Sequence, residues 1–151
     1  MCAQILALHE KRETFTDVVY SLEKSGHNVI LAENFLQAID ILSGLRKIDL
    51  VVSDVHLENG GNVFDFLRWV KQHRSTIGDV PFVLLSCRPS QLALHLEDAV
   101  RTSARIFGAT RYIAMEIFDS GDFRRQIDEM LVSSGIALDL NPADEVVGSR
   151  V

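Results

Sequence analysis

Short continuous apolar runs alternate with stretches of helical periodicity five times along the chain. The runs predict strands at Gln4–Leu8, Asn28–Ala32, Leu50–Ser53, Pro81–Leu85 and Arg111–Ala114. Three of them, Ile5-Leu6-Ala7-Leu8, Leu50-Val51-Val52 and Phe82-Val83-Leu84-Leu85, carry no polar position, as expected of strands covered on both faces of a parallel sheet. Between them, Phe15, Val18, Val19 and Leu22 recur at the spacing of one helical face, with Thr14 and Asp17 as a start signal and Gly26 as a stop. Similar stripes run through Phe35, Ala38, Ile39 and Leu42, closed by Gly44, and through Val63, Phe66, Leu67 and Val70. The fourth passes through Leu92, Leu96, Ala99, Val100, Ser103 and Phe107, closed by Gly108, and the fifth through Phe123, Ile127, Met130 and Leu131. Strand–helix alternation with short links predicts an α/β domain, a doubly wound parallel sheet of five strands with helices on both faces.

Periodicity fades after Ser133, so residues 1–133 read as one domain and 134–151 as a C-terminal tail, with a short extended piece expected at Ile136–Leu138. The 151 residues are 47% hydrophobic and 24% charged, the balance of a globular domain. No apolar stretch reaches the roughly 20 residues that span a bilayer, and no basic lead precedes the first apolar run; a cytoplasmic location is the expectation. The formal net charge is −6 and no run of Lys or Arg stands out, which argues against direct nucleic-acid binding. Cys2 and Cys87 fall near opposite ends of the expected sheet, about 15 Å apart, too far for a disulfide.

In an open α/β sheet, ligands bind beyond the carboxyl ends of the strands, where strand order reverses. His9 and Glu10 follow the first strand, Asp54 the third, Ser86 and Cys87 the fourth, and Met115 and Glu116 the fifth. A carboxylate at a strand end is often only a helix cap; here Asp54 ends an apolar run and precedes the Gly-containing loop Glu58-Asn59-Gly60-Gly61.

Five blocks in order over residues 3–132 resemble response-regulator receiver domains: Ile5-Leu6-Ala7-Leu8-His9-Glu10, Gly26-His27-Asn28-Val29, Asp49-Leu50-Val51-Val52-Ser53-Asp54-Val55-His56-Leu57, Val80-Pro81-Phe82-Val83-Leu84-Leu85-Ser86 and Gly108-Ala109-Thr110-Arg111-Tyr112-Ile113. The resemblance implies the flavodoxin-like receiver fold with strand order 2-1-3-4-5. It implies a phosphoacceptor at Asp54, a switch hydroxyl at Ser86 and a switch aromatic at Tyr112. It also implies Mg²⁺ held by Glu10, Asp54 and the backbone carbonyl of His56. The implied partners are a histidine kinase or phosphotransfer protein, and a downstream effector docked on the face of the fourth helix, fifth strand and fifth helix, where homodimerisation is also plausible. Such a chain is a signalling module acting by protein–protein contact and not an enzyme.

Two parts of the family's site are missing. The acidic pair after the first strand reads His9-Glu10, which removes one negative charge from a site for a hard cation. The lysine expected after the fifth strand aligns with Met115, and the proline after it with Glu116. Arg88 is a candidate substitute for the lysine. The loop after Asp54 is one residue longer than usual, and Ser86–Gly108 is several longer, with Leu92, Leu94 and Leu96 too many for one buried stripe. Two versions stay open: an atypical receiver that still accepts a phosphoryl group on Asp54, and a phosphorylation-independent pseudo-receiver that keeps only the docking face. A cofactor-binding flavodoxin-like domain is a third class. Asp54-Val55-His56 is similar to the Asp-x-His-x-x-Gly signature of cobalamin binding, but Asn59 stands where its glycine belongs, and His9–Thr14 lacks the small hydroxyl residues that would cradle FMN phosphate. His27, His56, His73 and His95 show no metal-ligand spacing.

Overall fold

A computed structural model describes residues 3–9, 12–54, 62–87, 97–115 and 117–133, with 12–14, 87, 97 and 98 described through their backbone alone. Strands β1 (Gln4–Leu8), β2 (Asn28–Ala32), β3 (Leu50–Asp54), β4 (Phe82–Cys87) and β5 (Arg111–Met115) form one sheet, all parallel, in the order β2-β1-β3-β4-β5. The long helices are α1 (Arg12–Lys24), α2 (Phe35–Ser43), α3 (Val63–Gln72), α4 (Glu97–Ile106) and α5 (Ser120–Ser133), with a single helical turn at Arg74–Ile77. No helix among the described residues is long and apolar enough to cross a membrane.

The alternation of side chains along each strand sends two separate cores to the two faces. Ile5, Ala7, Val52, Leu85 and Ile113 pack against Phe15, Val18 and Leu22 of α1 and Phe123, Ile127, Met130 and Leu131 of α5. Leu6, Leu8, Val51, Phe82 and Leu84 pack against Ala38 and Leu42 of α2, the buried face of α3 and Ala104 of α4. The three continuous runs expected to be doubly covered are so: β1, β3 and β4 are buried almost throughout, whereas edge strands β2 and β5 are largely half-buried.

Strands that are apolar on both faces do not set their own register, and here polar clamps at the strand starts do so. The amide of Gln4 donates to the Asp49 carboxylate at 2.8 Å, and the Asp49 amide returns a bond of 2.8 Å to the Gln4 carbonyl. Likewise, the Phe82 amide donates to Thr110 Oγ1 at 3.0 Å while the Thr110 amide donates to the Phe82 carbonyl at 2.8 Å. These clamps tie β1 to β3 and β4 to β5, and the β3–β4 ladder joins the two pairs, so that at the far end Leu8 lies level with Ser53, Asp54 with Leu85, and Ser86 with Ala114.

The elements differ from the sequence expectations mainly at their ends. β3, β4 and β5 extend to Asp54, Cys87 and Met115 because each ladder continues as long as its neighbour supplies partners. β4 starts at Phe82 because Pro81 has no N–H to give, though its carbonyl accepts from Val51 at 3.0 Å. α1 begins at Arg12, ahead of the Thr14 start signal. Asn34 caps α2 by accepting from the Gln37 amide at 3.0 Å, and Asn62 caps α3 by accepting from Phe64 at 2.8 Å. On α4 the inward stripe is Val100, Ser103, Ala104 and Phe107; Ala99 is exposed, one step around the helix from the face assigned to it. Gly108 follows with φ +90°, a left-handed turn that only glycine adopts cheaply, and a Cβ there would sit 3.3 Å from the Lys71 stem. Residues 88–96, with Arg88, Leu92, Leu94 and Leu96, lie outside the described residues, as do 134–151 with the expected Ile136–Leu138 piece.

His27, at the β2 entry, is buried, and its Nδ1 accepts from the Ala3 amide at 3.3 Å. Its Nε2 lies 3.7 Å from Asp128 on α5, a distance for Coulomb attraction and not for a good hydrogen bond. Burial pushes its pKa below that of a free imidazole, and the Asp128 charge only partly opposes this. A group whose native pKa is depressed lets the unfolded chain take up a proton first, so stability falls as pH drops below the ordinary value near 6.5, until the native pKa is reached. Urea unfolding should therefore show a loss of stability between pH 7.5 and 5.5 that is smaller in His27→Gln; an identical loss in the variant would remove His27 as its source.

Candidate functional site

The carboxyl ends of β1, β3 and β4 form the centre of the candidate site, on either side of the point where strand order reverses between β1 and β3. Asp54, the last residue of β3, is half-buried. Extending the β1–β3 register by one residue puts His9 level with it, a strand spacing of about 4.8 Å away. Ser86 lies one step past Leu85, the partner of Asp54, so the two backbone positions are about 6 Å apart. Of the residues assigned from sequence, the described chain thus brings Asp54 and Ser86 together. Glu10 and His56, the other assigned metal donors, lie outside the described residues, as do Arg88 and Glu116.

His9 is turned inward. It is 1% exposed, its amide continues the β1–β2 ladder by donating to Ala32 at 3.0 Å, and its ring stacks on Phe15 of α1 with centroids 4.8 Å apart and planes at 21°. The aromatic core under α1 thus extends into a position where a carboxylate would otherwise face the site, and burying an aromatic ring there is favourable where burying a lone charge is not. Met115 is handled in the same way. It is 8% exposed, packs into the core shared by α1 and α5, and its sulfur accepts weakly from the Asp119 amide at 3.5 Å. Asp119 in turn starts α5, its carboxylate accepting from the Asp122 amide at 3.0 Å. Met115 is therefore part of the packing that seats α5 and contributes no charge to the strand ends.

Ser86 is 2% exposed at the end of β4. Tyr112, two residues earlier on the paired strand relative to Ala114, is half-buried on the face of α3 and α4, and the Arg101 guanidinium lies 4.9 Å above its ring. That cation–π contact holds the ring against α4, an arrangement the sequence did not signal because Arg101 is eleven residues away and on another element.

The donor set for a cation is short. Among the described residues no three His, Cys, Asp or Glu side chains group as metal ligands, and Asp54 is the carboxylate at the ends of β1, β3 and β4. A buried imidazole stacked on a phenyl ring does not suit Mg²⁺, which asks for oxygen donors in a strict octahedron. A Mg²⁺ site here would rest on Glu10 and the His56 carbonyl together with Asp54.

With this arrangement described, the solved structures similar to the chain are mostly response-regulator receiver domains. A response regulator from Thermotoga maritima is 26% identical over 87% of this chain and 99% of that one, with a TM-score of 0.67. A response regulator receiver domain protein from Clostridium thermocellum matches at 18% identity over 90% and 99%, with a TM-score of 0.72. NtrX from Brucella abortus matches at 21% with a TM-score of 0.74; the match covers 90% of this chain and 29% of that longer one. No family profile matches the sequence, and no curated protein does. The chain has the receiver fold of the response regulators, five parallel strands in the order 2-1-3-4-5 with helices on both faces.

Replacing His9 by alanine removes a stacked, fully buried ring and should cost about 2–4 kcal/mol of unfolding free energy, the range for truncating a large core side chain. Urea titration of the two proteins measures it, and a cost under about 1 kcal/mol would mean the ring is not part of the packing.

Proposed function

We propose that the chain is an atypical receiver domain of two-component signalling that accepts a phosphoryl group on Asp54 and acts in the cytoplasm through contacts with other proteins. The observation that carries this reading is the position of Asp54: a half-buried carboxylate ending the middle strand of a receiver-type sheet, beside the β4 end that bears Ser86. A carboxylate oxygen attacks the phosphorus of a phosphohistidine on a histidine kinase or phosphotransfer protein. The P–N bond breaks, its electron pair returns to the imidazole, and an acyl phosphate remains on Asp54. Ser86 is the hydroxyl for a phosphoryl oxygen, and Tyr112 the aromatic that answers it on the α4–β5–α5 face, where an effector docks. Mg²⁺ at Glu10, Asp54 and the His56 carbonyl would offset the crowded negative charge.

The buried Met115 and His9 favour a second reading, a pseudo-receiver that docks without phosphorylation. A site without the lysine cation and with one acid fewer stabilises the transferred phosphoryl group less, so transfer should be slow. A flavodoxin-like cofactor domain has no comparable support. Incubation with acetyl phosphate and Mg²⁺ separates the first two: the wild type should gain one phosphate by intact mass, and Asp54→Asn none. No adduct at high donor and metal concentration leaves the pseudo-receiver alone.

A further inference from the structure

We infer that residues 136–140 of the C-terminal tail cover the open edge of β2 as a sixth, parallel strand, with their apolar side chains in the hollow between β2 and α1. The inference is independent of the phosphoacceptor reading. β2 ends the sheet on one side. Its inner backbone groups are taken by β1: the Asn28 amide donates to the Ala3 carbonyl at 2.9 Å, and the Ala32 carbonyl accepts from His9 at 3.0 Å. Alternation along the strand therefore turns the N–H and C=O of Val29 and Leu31 outward, away from β1.

Such an edge is a template for any extended chain, and natural sheets blunt it with charge, proline, a bulge or a cover. β2 uses none of the first three. The run Asn28-Val29-Ile30-Leu31-Ala32 holds no charged residue and no proline, and its five pairs with β1 keep an unbroken register. β5, the opposite edge, opens with Arg111. On the α1 side of β2 lies a hollow of about 310 Å³, lined by Thr16, Val19, Tyr20, Glu23 and Leu31. Tyr20 is 62% exposed there, and Val19 and Leu31 are only half-buried.

The tail has the matching pattern. Ile136, Leu138 and Leu140 alternate with Ala137 and Asp139, so an extended chain there is apolar on one face, and Asn141-Pro142 ends the run. Topology selects the edge. α1 and α5 pack on the same face of the sheet, and α1 carries the chain outward from β1 to β2. Two crossovers on one face of a parallel sheet share their hand only if they step in the same direction, so a strand following α5 falls on the β2 side and not outside β5. The inner places are filled, which leaves the outer edge of β2.

The reach is sufficient. Asp128 lies 3.7 Å from His27, the residue just before β2, and α5 ends five residues later at Ser133. The three steps from Ser133 to Ile136 then span up to about 10 Å. The hollow at Ser133 itself, of about 650 Å³, suits the segment less. Four of its lining residues, Arg111, Arg125, Asp128 and Glu129, are charged, and Val132 is its one apolar member.

NMR of the uniformly labelled full chain tests the inference. Cross-strand NOEs are expected between residues 136–140 and 28–32. The Val29 and Leu31 amides should exchange with solvent at least about tenfold more slowly than in Leu138→Asp, which puts a charge where an apolar side chain is needed. Unchanged shifts of the β1, β3 and β4 amides would verify the fold of that variant. Random-coil shifts throughout 136–140, NOEs from this segment to β5 instead of β2, or equal exchange of Val29 and Leu31 in the variant overturns the assignment. An equal mixture of ¹⁵N-labelled and ¹³C-labelled chains separates one chain from two. NOEs that arise only between differently labelled chains give the edge to the tail of a second copy and overturn the intramolecular strand.

Discussion

Burial of β1, β3 and β4 on both faces is the constraint from which the remaining geometry follows. Each apolar side chain taken out of water there contributes about 1.5–3 kcal/mol, and the two cores can form only if all three strands lie inside the sheet. The polar clamps at the opposite end, Asp49 on Gln4 and Thr110 on Phe82, then fix how far each strand runs before it emerges. The backbone positions of Asp54 and Ser86 come within about 6 Å because the β3–β4 ladder, running from Val51 beside Phe82 to Asp54 beside Leu85, sets their register.

The same core explains why the strand ends are chemically sparse. Ring stacking of His9 on Phe15, and the burial of Met115 beneath α5, give the end of β1, level with Asp54, and the end of β5, two strands from it, to packing. Each gains contacts for the fold, and each leaves Asp54 with less charge compensation. In this fold the packing face and the chemical end compete for the last residue of a strand. In this chain packing has won at the ends of β1 and β5.

The sheet was legible in the sequence because continuous apolar runs and 3.6-residue stripes are long-range patterns that tolerate errors at the ends. All four inward residues of α3 and of α5 sit where the periodicity put them. Strand ends were less legible: β3 takes in Asp54 and β4 takes in Ser86 and Cys87, because ladder length depends on the neighbouring strand. α4 was misread by one step at Ala99, since a stripe that includes serine and alanine has weak contrast. Asp54, Ser86 and Met115 were found from strand-end logic and resemblance together. The sequence reading of His9 as a partly buried residue fits its inward turn, but its stacking on Phe15, the Arg101–Tyr112 contact and the buried His27 left no trace in the sequence, because each depends on a partner from another element.

The central claim is that the ends of β1, β3 and β4 form one site able to hold a phosphoryl group on Asp54. Beryllofluoride, which adds to an aspartate carboxylate as a tetrahedral phosphoryl mimic, tests it at equilibrium and without a kinase. Two-dimensional amide NMR of the chain with Mg²⁺ and beryllofluoride should show saturable shifts centred on His9, Asp54 and Ser86 and spreading to Tyr112, all absent in Asp54→Asn. A spectrum unchanged at saturating beryllofluoride and Mg²⁺, or shifts that persist in the variant, would contradict it.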